Sequence, residues 1–155
     1  MSRRDAIRMT DAEIGTFLRS HWLMVMGTNG KDGFPHLVTI AYKLWGDRIS
    51  FSSYRKAQKI KNLERDPRIS CLVETVGEQY GDIKAVLVHG AARLITDATE
   101  YREWRESEWG QLPRPSDEHA KGAKPFEEIV DKRLLVVVEP ERVTSWDHSR
   151  LGDSS

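Results

Sequence analysis

One cysteine, Cys71, stands in a chain of 155 residues, so no internal disulfide framework and no cysteine-based zinc site can form. Long hydrophobic runs are missing as well. The longest, Leu134–Val138, is far too short to cross a bilayer as a helix. The amino terminus, Met1-Ser2-Arg3-Arg4-Asp5, has no apolar signal core behind it. Excess charge of one sign is absent too: 24 Lys+Arg balance 24 Asp+Glu, so no global field drives the chain onto nucleic acid or anionic lipid. These absences point to a cytoplasmic protein with neither a membrane nor a nucleic-acid partner. The five histidines, His21, His36, His89, His119 and His148, show no i, i+4 pair with a carboxylate, so no metal site is expected. A Gly-x-Ser-x-Gly elbow, a Walker phosphate loop and a Cys-x-x-Cys-His haem motif are all missing.

What is present fits one ordinary domain, residues 1–155, with ends (1–9 and 149–155) expected to be flexible. Thr10-Asp11-Ala12-Glu13 is a capping box that starts a first helix. A strand over Trp22–Thr28 follows, and Asn29-Gly30 and Asp32-Gly33 mark a turn. Pro35–Leu44 alternates as a half-buried antiparallel strand with Val38, Ile40, Tyr42 and Leu44 on one face and Leu37, Thr39, Ala41 and Lys43 on the other. Arg48–Ser53 returns as a third strand. A short helix is expected from about Lys56 to Arg65, stopped by Asp66-Pro67. Strands are expected over Arg68–Glu74 and Ile83–Ile95, with Gly90 marking a bulge or close backbone approach. An acidic helix over Thr99–Trp109, a loop over Gln111–Lys124 and a helical turn or two over Phe126–Val130 come next. Arg133–Glu139 reads as a buried strand, Pro140-Glu141 as a break, and Arg142–Asp147 as a last strand. About seven strands joined by tight turns predict a mainly β protein curled into an antiparallel barrel.

Charge is uniform except in one place. Between Arg48 and Arg68 stand seven cations (Arg48, Arg55, Lys56, Lys59, Lys61, Arg65, Arg68) against Glu64 and Asp66, a local balance of 7 − 2 = +5. Arg55, Lys59 and Asn62 fall at i, i+4, i+7, and Ser52 and Ser53 lie at the strand end before the helix. Hydroxyls, free helical amides, a guanidinium and an ammonium gathered at one point suit a phosphate group. A solvated basic helix is the bland reading of the same charge run.

At these residues the chain resembles the flavin-binding split barrels of the pyridoxamine 5'-phosphate oxidase-like superfamily. The resemblance runs from Thr10 to about His148. It is carried by Gly27-Thr28-Asn29-Gly30-Lys31-Asp32-Gly33-Phe34-Pro35-His36-Leu37-Val38-Thr39, by Ser52–Leu63 with Arg65-Asp66-Pro67-Arg68-Ile69-Ser70, and by Glu139-Pro140-Glu141-Arg142-Val143. The run from Lys59 to Arg68 is most similar to the actinobacterial branch that uses the deazaflavin coenzyme F-420. The resemblance implies a six- or seven-stranded antiparallel split β-barrel, homodimeric, with cofactor grooves at the subunit interface. It implies that Lys59 contacts the cofactor phosphate. Ser52, Ser53, Tyr54 and Arg55 would line the same groove, with Lys56 and Asn62 beside it, and Thr39, Ile40 and Ala41 would lie against the ring. Trp146 and His148 would reach a partner's cofactor, or else serve as core filler and tail. The tail departs from the oxidases proper: it reads Trp146-Asp147-His148-Ser149-Arg150, not the Arg-x-His motif that holds pyridoxamine phosphate.

The expected function is therefore hydride transfer between coenzyme F-420 and a small unsaturated or quinone-like substrate, with no side chain assigned as acid or base. Three rivals stand beside it. One is an FMN-dependent oxidase or reductase on the same barrel. Another is a module that carries cofactor or haem without turnover. The third, a nucleic-acid barrel, would need aromatics interleaved with cations on exposed strands, whereas these cations lie on a helix.

Overall fold

A computed structural model describes residues 2–107 and 125–152. Five α-helices are seen among the described residues: α1 (Arg3–Ala6), α2 (Asp11–Arg19), α3 (Gln58–Arg65), α4 (Ala98–Glu106) and α5 (Phe126–Lys132). Seven strands accompany them: β1 (Leu23–Asn29), β2 (Pro35–Ala41), β3 (Lys43–Trp45), β4 (Arg48–Tyr54), β5 (Arg68–Thr75), β6 (Lys84–Ile95) and β7 (Arg133–Asp147). The expected end of the acidic helix at Trp109 and the loop over Gln111–Lys124 lie outside the described residues. Among the described residues no helix is long and apolar enough to cross a membrane.

The strands form one antiparallel sheet in the order β2-β1-β5-β6-β7-β4-β3. Its two edge strands, β2 and β3, are separated by a single residue, Tyr42. One residue cannot span a flat seven-stranded sheet, so the sheet curls until its edges meet. Tyr42 pins that closure. Its N–H donates to the Trp22 carbonyl at 2.8 Å, and its hydroxyl donates to the Leu18 carbonyl at 2.6 Å. The barrel interior is the main core, with Met24, Met26, Phe51, Ile69, Cys71, Val73, Val86, Val136 and Val138 all buried. Complete burial pushes the Cys71 thiol up to about 12, which leaves it an inert packing group. Helix α2 closes one end, starting from the Thr10–Glu13 capping box. Helices α4 and α5 cover the outside of β7 through a second cluster of Ile95, Tyr101, Trp104, Leu135 and Val137.

Four sequence expectations change. The expected strand Pro35–Leu44 is two strands, because closure bends the chain at Tyr42. Lys43, expected on an open polar face, is buried instead. Its ammonium donates to the carbonyls of Trp104 and Ser107 and to the Ser107 hydroxyl, and so caps α4. Pro140-Glu141 does not end a strand. Register runs His89↔Arg142 and then Gly90↔Pro140, so Glu141 is the extra residue of a bulge inside a continuous β7. A bulge is where a strand tolerates proline, which has no N–H to give the ladder. Finally, α3 starts at Gln58, with Ala57 as its cap, not at Lys56.

Candidate functional site

Barrel closure is incomplete along one seam. β3 pairs with β4 over Lys43↔Ser50, Leu44↔Ile49 and Trp45↔Arg48, and there the pairing ends. Continued past Tyr42, the same register would set Ala41 opposite Ser52 and Thr39 opposite Tyr54. β2 pairs only with β1, however, and the far side of Ser52–Tyr54 pairs only with β7. Both strand edges are therefore unpaired, and each carries backbone N–H and C=O groups with no partner in the sheet. Thr39–Ala41 and Ser52–Tyr54, read from sequence as a site, are the two lips of this split. Thr39 is exposed, and Ile40 packs against the core.

Cations stand at one end of the split. β4 runs out at Tyr54, and α3 begins four residues later, so Lys59 follows the lip directly. Across from Tyr54 the ladder places Arg133, the first residue of β7. The Arg133 guanidinium donates from Nε to the Ser52 hydroxyl at 2.9 Å and lies 4.3 Å from the centre of the Tyr54 ring. Ser52 also bonds the Tyr101 hydroxyl at 2.7 Å, which ties the lip to α4. Lys59 is half-buried, and burial, then the nearby Arg133 charge, holds its ammonium pKa below the ordinary 10.5. Among the described residues neither Lys59 nor Arg133 has a carboxylate within ion-pair distance. Two like charges held together without a counter-charge form a site suited to an anion.

The other expected site residues divide into those near this point and those far from it. Arg55 lies beside it, but its guanidinium is engaged: Nη2 donates to the Val130 carbonyl at 2.8 Å and Nε to the Arg133 carbonyl at 3.1 Å. It fixes the α5–β7 junction, and through it Arg133. Because α3 starts at Gln58, neither Arg55 nor Lys56 is helical, and the expected helical face of Arg55, Lys59 and Asn62 does not form. Lys56 is exposed in the turn. Ser53 is buried, its hydroxyl donating to the Tyr54 carbonyl at 3.4 Å. Asn62 is fully buried and turned inward. Its amide donates to the Thr28 hydroxyl at 3.0 Å and accepts from Gln58 at 2.8 Å. That bond holds α3 against β1 and beside a hollow of about 630 Å³, lined by Gly30, Phe34, His36 and Gln58. Trp146 and His148 lie near the opposite end of β7. Thirteen residues separate Arg133 from Trp146, roughly 40 Å of strand at about 3.3 Å per residue. His148 packs on Tyr80, ring centres 4.5 Å apart, with Nδ1 3.2 Å from the Tyr80 carbonyl. Within one subunit, these two do not meet the cation cluster.

Arg133 escapes a sequence reading. In the sequence it is the second of two adjacent cations, Lys132-Arg133, before the apolar run Leu134–Val138, and its partner Ser52 is 81 positions away. Only the β4–β7 register brings the two together.

The family model described as pyridoxamine 5'-phosphate oxidase matches residues 10–147. No curated protein matches the chain. Among solved structures, a conserved hypothetical protein of Mycobacterium tuberculosis is similar over 100% of this chain and 95% of its own, with 28% identity and a TM-score of 0.78. A FAD-binding protein from Mesorhizobium loti aligns over 88% of this chain and 94% of its own, with 20% identity and a TM-score of 0.66. A structure described as an F420 reductase aligns over 83% of this chain and 94% of its own, with 19% identity and a TM-score of 0.58. The last two likenesses are of fold alone.

Proposed function

The chain belongs to the pyridoxamine 5'-phosphate oxidase family, and on that premise we propose that it is an oxidoreductase that holds coenzyme F-420 in the split between β2 and β4. The observation that carries this reading is the Lys59–Arg133 pair at the end of that split, two cations with no carboxylate within ion-pair distance among the described residues. Lys59 and Arg133 bind the anionic tail, and Arg55 keeps Arg133 in place by gripping the α5–β7 junction. Ser52 orients the Arg133 guanidinium. The unpaired backbone edge at Thr39–Ala41 offers donors and acceptors to a planar ring, and Ile40 anchors that edge on the core. Bound there, the deazaflavin supplies hydride transfer to a small unsaturated or quinone-like substrate. The likeness to an F420 reductase agrees with this assignment. FMN is the second reading, favoured by the likeness to a FAD-binding protein. A tail bearing several negative charges can engage Lys59 and Arg133 together, which one phosphate does less fully.

A second copy of the chain is part of the proposal. Val25, Leu72 and Leu87 align in one cross-strand row on the outer face of β1, β5 and β6. Leu37 and Leu23 on that face are 65% and 42% exposed. Among the described residues, helices α4 and α5 cover β7 and leave this half of the sheet open. A partner laid on it gives Trp146 and His148 a route to a cofactor held by the other subunit. Sedimentation equilibrium is expected to give twice the chain mass. A monomer at micromolar concentration removes this part of the reading.

Titration with F-420 and with FMN, followed by tryptophan fluorescence, decides between the cofactors. F-420 is expected to bind at least tenfold more tightly, and a preference for FMN would overturn the assignment. The pH dependence follows from Lys59. Affinity for an anion stays level while the ammonium is charged and falls as pH rises through its lowered pKa. Lys59→Arg is expected to abolish that fall, since guanidinium keeps its charge.

A further inference from the structure

Helix α2 caps one end of the barrel imperfectly. Between it and the inner wall lies a cavity of about 380 Å³, away from the β2–β4 split and sharing no residue with the cation cluster. Ile14 and Leu18 on α2 face Ile49, Val88 and Val138 across it. The cavity opens where β7 leaves β4. Pairing between those strands ends at Ser50↔Val137, and beyond the Glu141 bulge β7 stays with β6 alone.

Two residues are out of keeping with a merely packed interior. Gly15 sits in the middle of α2 and lines the cavity, although glycine weakens a helix relative to alanine. A Cβ there would meet only the mobile Arg19 guanidinium at 3.1 Å, so packing does not require glycine. Its missing side chain leaves a gap in the lining that only the end of the Arg19 side chain borders. Val143, at the mouth, is 44% exposed, an apolar residue left in water. The rim carries Asp11 and Asp47 against Arg19 and Arg48, two charges of each sign. Arg48 is already held by Glu139 at 2.8 Å.

We propose that this cavity is a binding site for a small, neutral, apolar molecule, the size of a medium-chain alcohol or a bicyclic ring. Size and rim both point there. An apolar cavity of about 150 Å³ takes benzene, so this one takes a ligand about twice as large. The rim carries no net charge, so a charged head gains no net attraction there to offset its desolvation, whereas a neutral head has little to lose. Gly15 and Val143 act as floor and door, and the ligand wedges α2 against β7.

Methyl-resolved NMR of the full chain, titrated with n-octanol and separately with octanoate, tests this. Octanol is expected to shift the methyl signals of Ile14, Leu18, Val88, Val138 and Val143, with a Kd below about 1 mM. Octanoate is expected to bind at least tenfold more weakly. Gly15→Leu fills the cavity with a better helix former, and it should lose at least tenfold in octanol affinity while the circular dichroism spectrum holds. Should Gly15→Leu not fold, Val143→Trp at the exposed mouth is expected to block binding in the same way. Shifts centred on other methyls, equal affinity for octanoate, absence of binding to the folded chain, or full octanol affinity in the filled variant would each overturn the proposal.

Discussion

Lys59→Met is expected to weaken cofactor binding by about tenfold to a hundredfold and to leave the free protein at least as stable as before. The first half follows from one charge-assisted contact, worth about 1.5–3 kcal/mol. The second half follows from the cluster itself. In the free protein Lys59 is partly desolvated and stands near Arg133, with no carboxylate among the described residues to offset either charge. Its pKa is therefore lower folded than unfolded. The unfolded chain binds the proton more tightly, so the charge opposes folding below the folded pKa, and stability rises as pH climbs through that value. Methionine keeps the stem and removes the charge, which removes that opposition. A structural lysine behaves in the opposite way: its loss lowers the melting temperature and leaves ligand affinity alone. Thermal melts with and without cofactor, beside a fluorescence titration, separate the two cases. Loss of stability with unchanged affinity would strike Lys59 from the site. Arg133→Gln provides a contrast, since it also gives up the Ser52 hydrogen bond and the Tyr54 stacking, so both stability and affinity should fall. The two losses should not add in a double variant, because removing either cation relieves the other.

Local chemistry was legible in the sequence, and long-range register was not. Thr10 and Glu13 announce the start of α2 because a capping box is complete within four residues. The lips of the split have a different source: the family resemblance implies Thr39–Ala41 and Tyr54, and the residue pattern by itself singles out only Ser52 and Ser53 before the helix. Tyr42 shows where this stops. Alternation continues through it from Pro35 to Leu44, yet barrel closure bends the chain there and sends Lys43 inward to cap a helix about sixty residues on. Pro140 misleads in the other direction, because proline ends a flat strand but sits comfortably in a bulge. Asn62 has the spacing of a ligand and the burial of a clamp. Which of these it becomes depends on where α3 begins, and helix starts lacking a capping side chain leave a weak mark in sequence; Ala57 supplies no such bond. Arg133 needs the pairing of strands some eighty residues apart. No local pattern encodes that.

Gly90→Ala is expected to cost about 3 kcal/mol, the upper end of what overpacking does, and so to lower the melting temperature by about 6–12 °C for a chain of this size. The added Cβ would lie 2.2 Å from the Glu139 carbonyl oxygen and 3.2 Å from the Pro140 Cα. Both are backbone atoms of β7, so no side chain can swing aside. The contact falls at the bulge, where Glu141 is squeezed out of register. Relief requires β7 to move off β6, which strains the Glu139 links to Arg48 and Arg93. Gly81→Ala is the control. Nothing lies within 4 Å of its Cβ and its φ is not positive, so its effect should stay within about 0.5 kcal/mol. A Gly90→Ala melt indistinguishable from wild type would mean that the strands are not this close. The consequence for the site is specific. Arg133 is held by Ser52, Tyr54 and Arg55 at the far end of β7, beyond the paired stretch Leu134–Val137 that ties it to β4. Folded Gly90→Ala protein should therefore bind cofactor with unchanged affinity. Lys59→Met and Gly90→Ala then move stability and affinity in opposite combinations, as expected if the bulge serves the barrel and the cation pair serves the ligand.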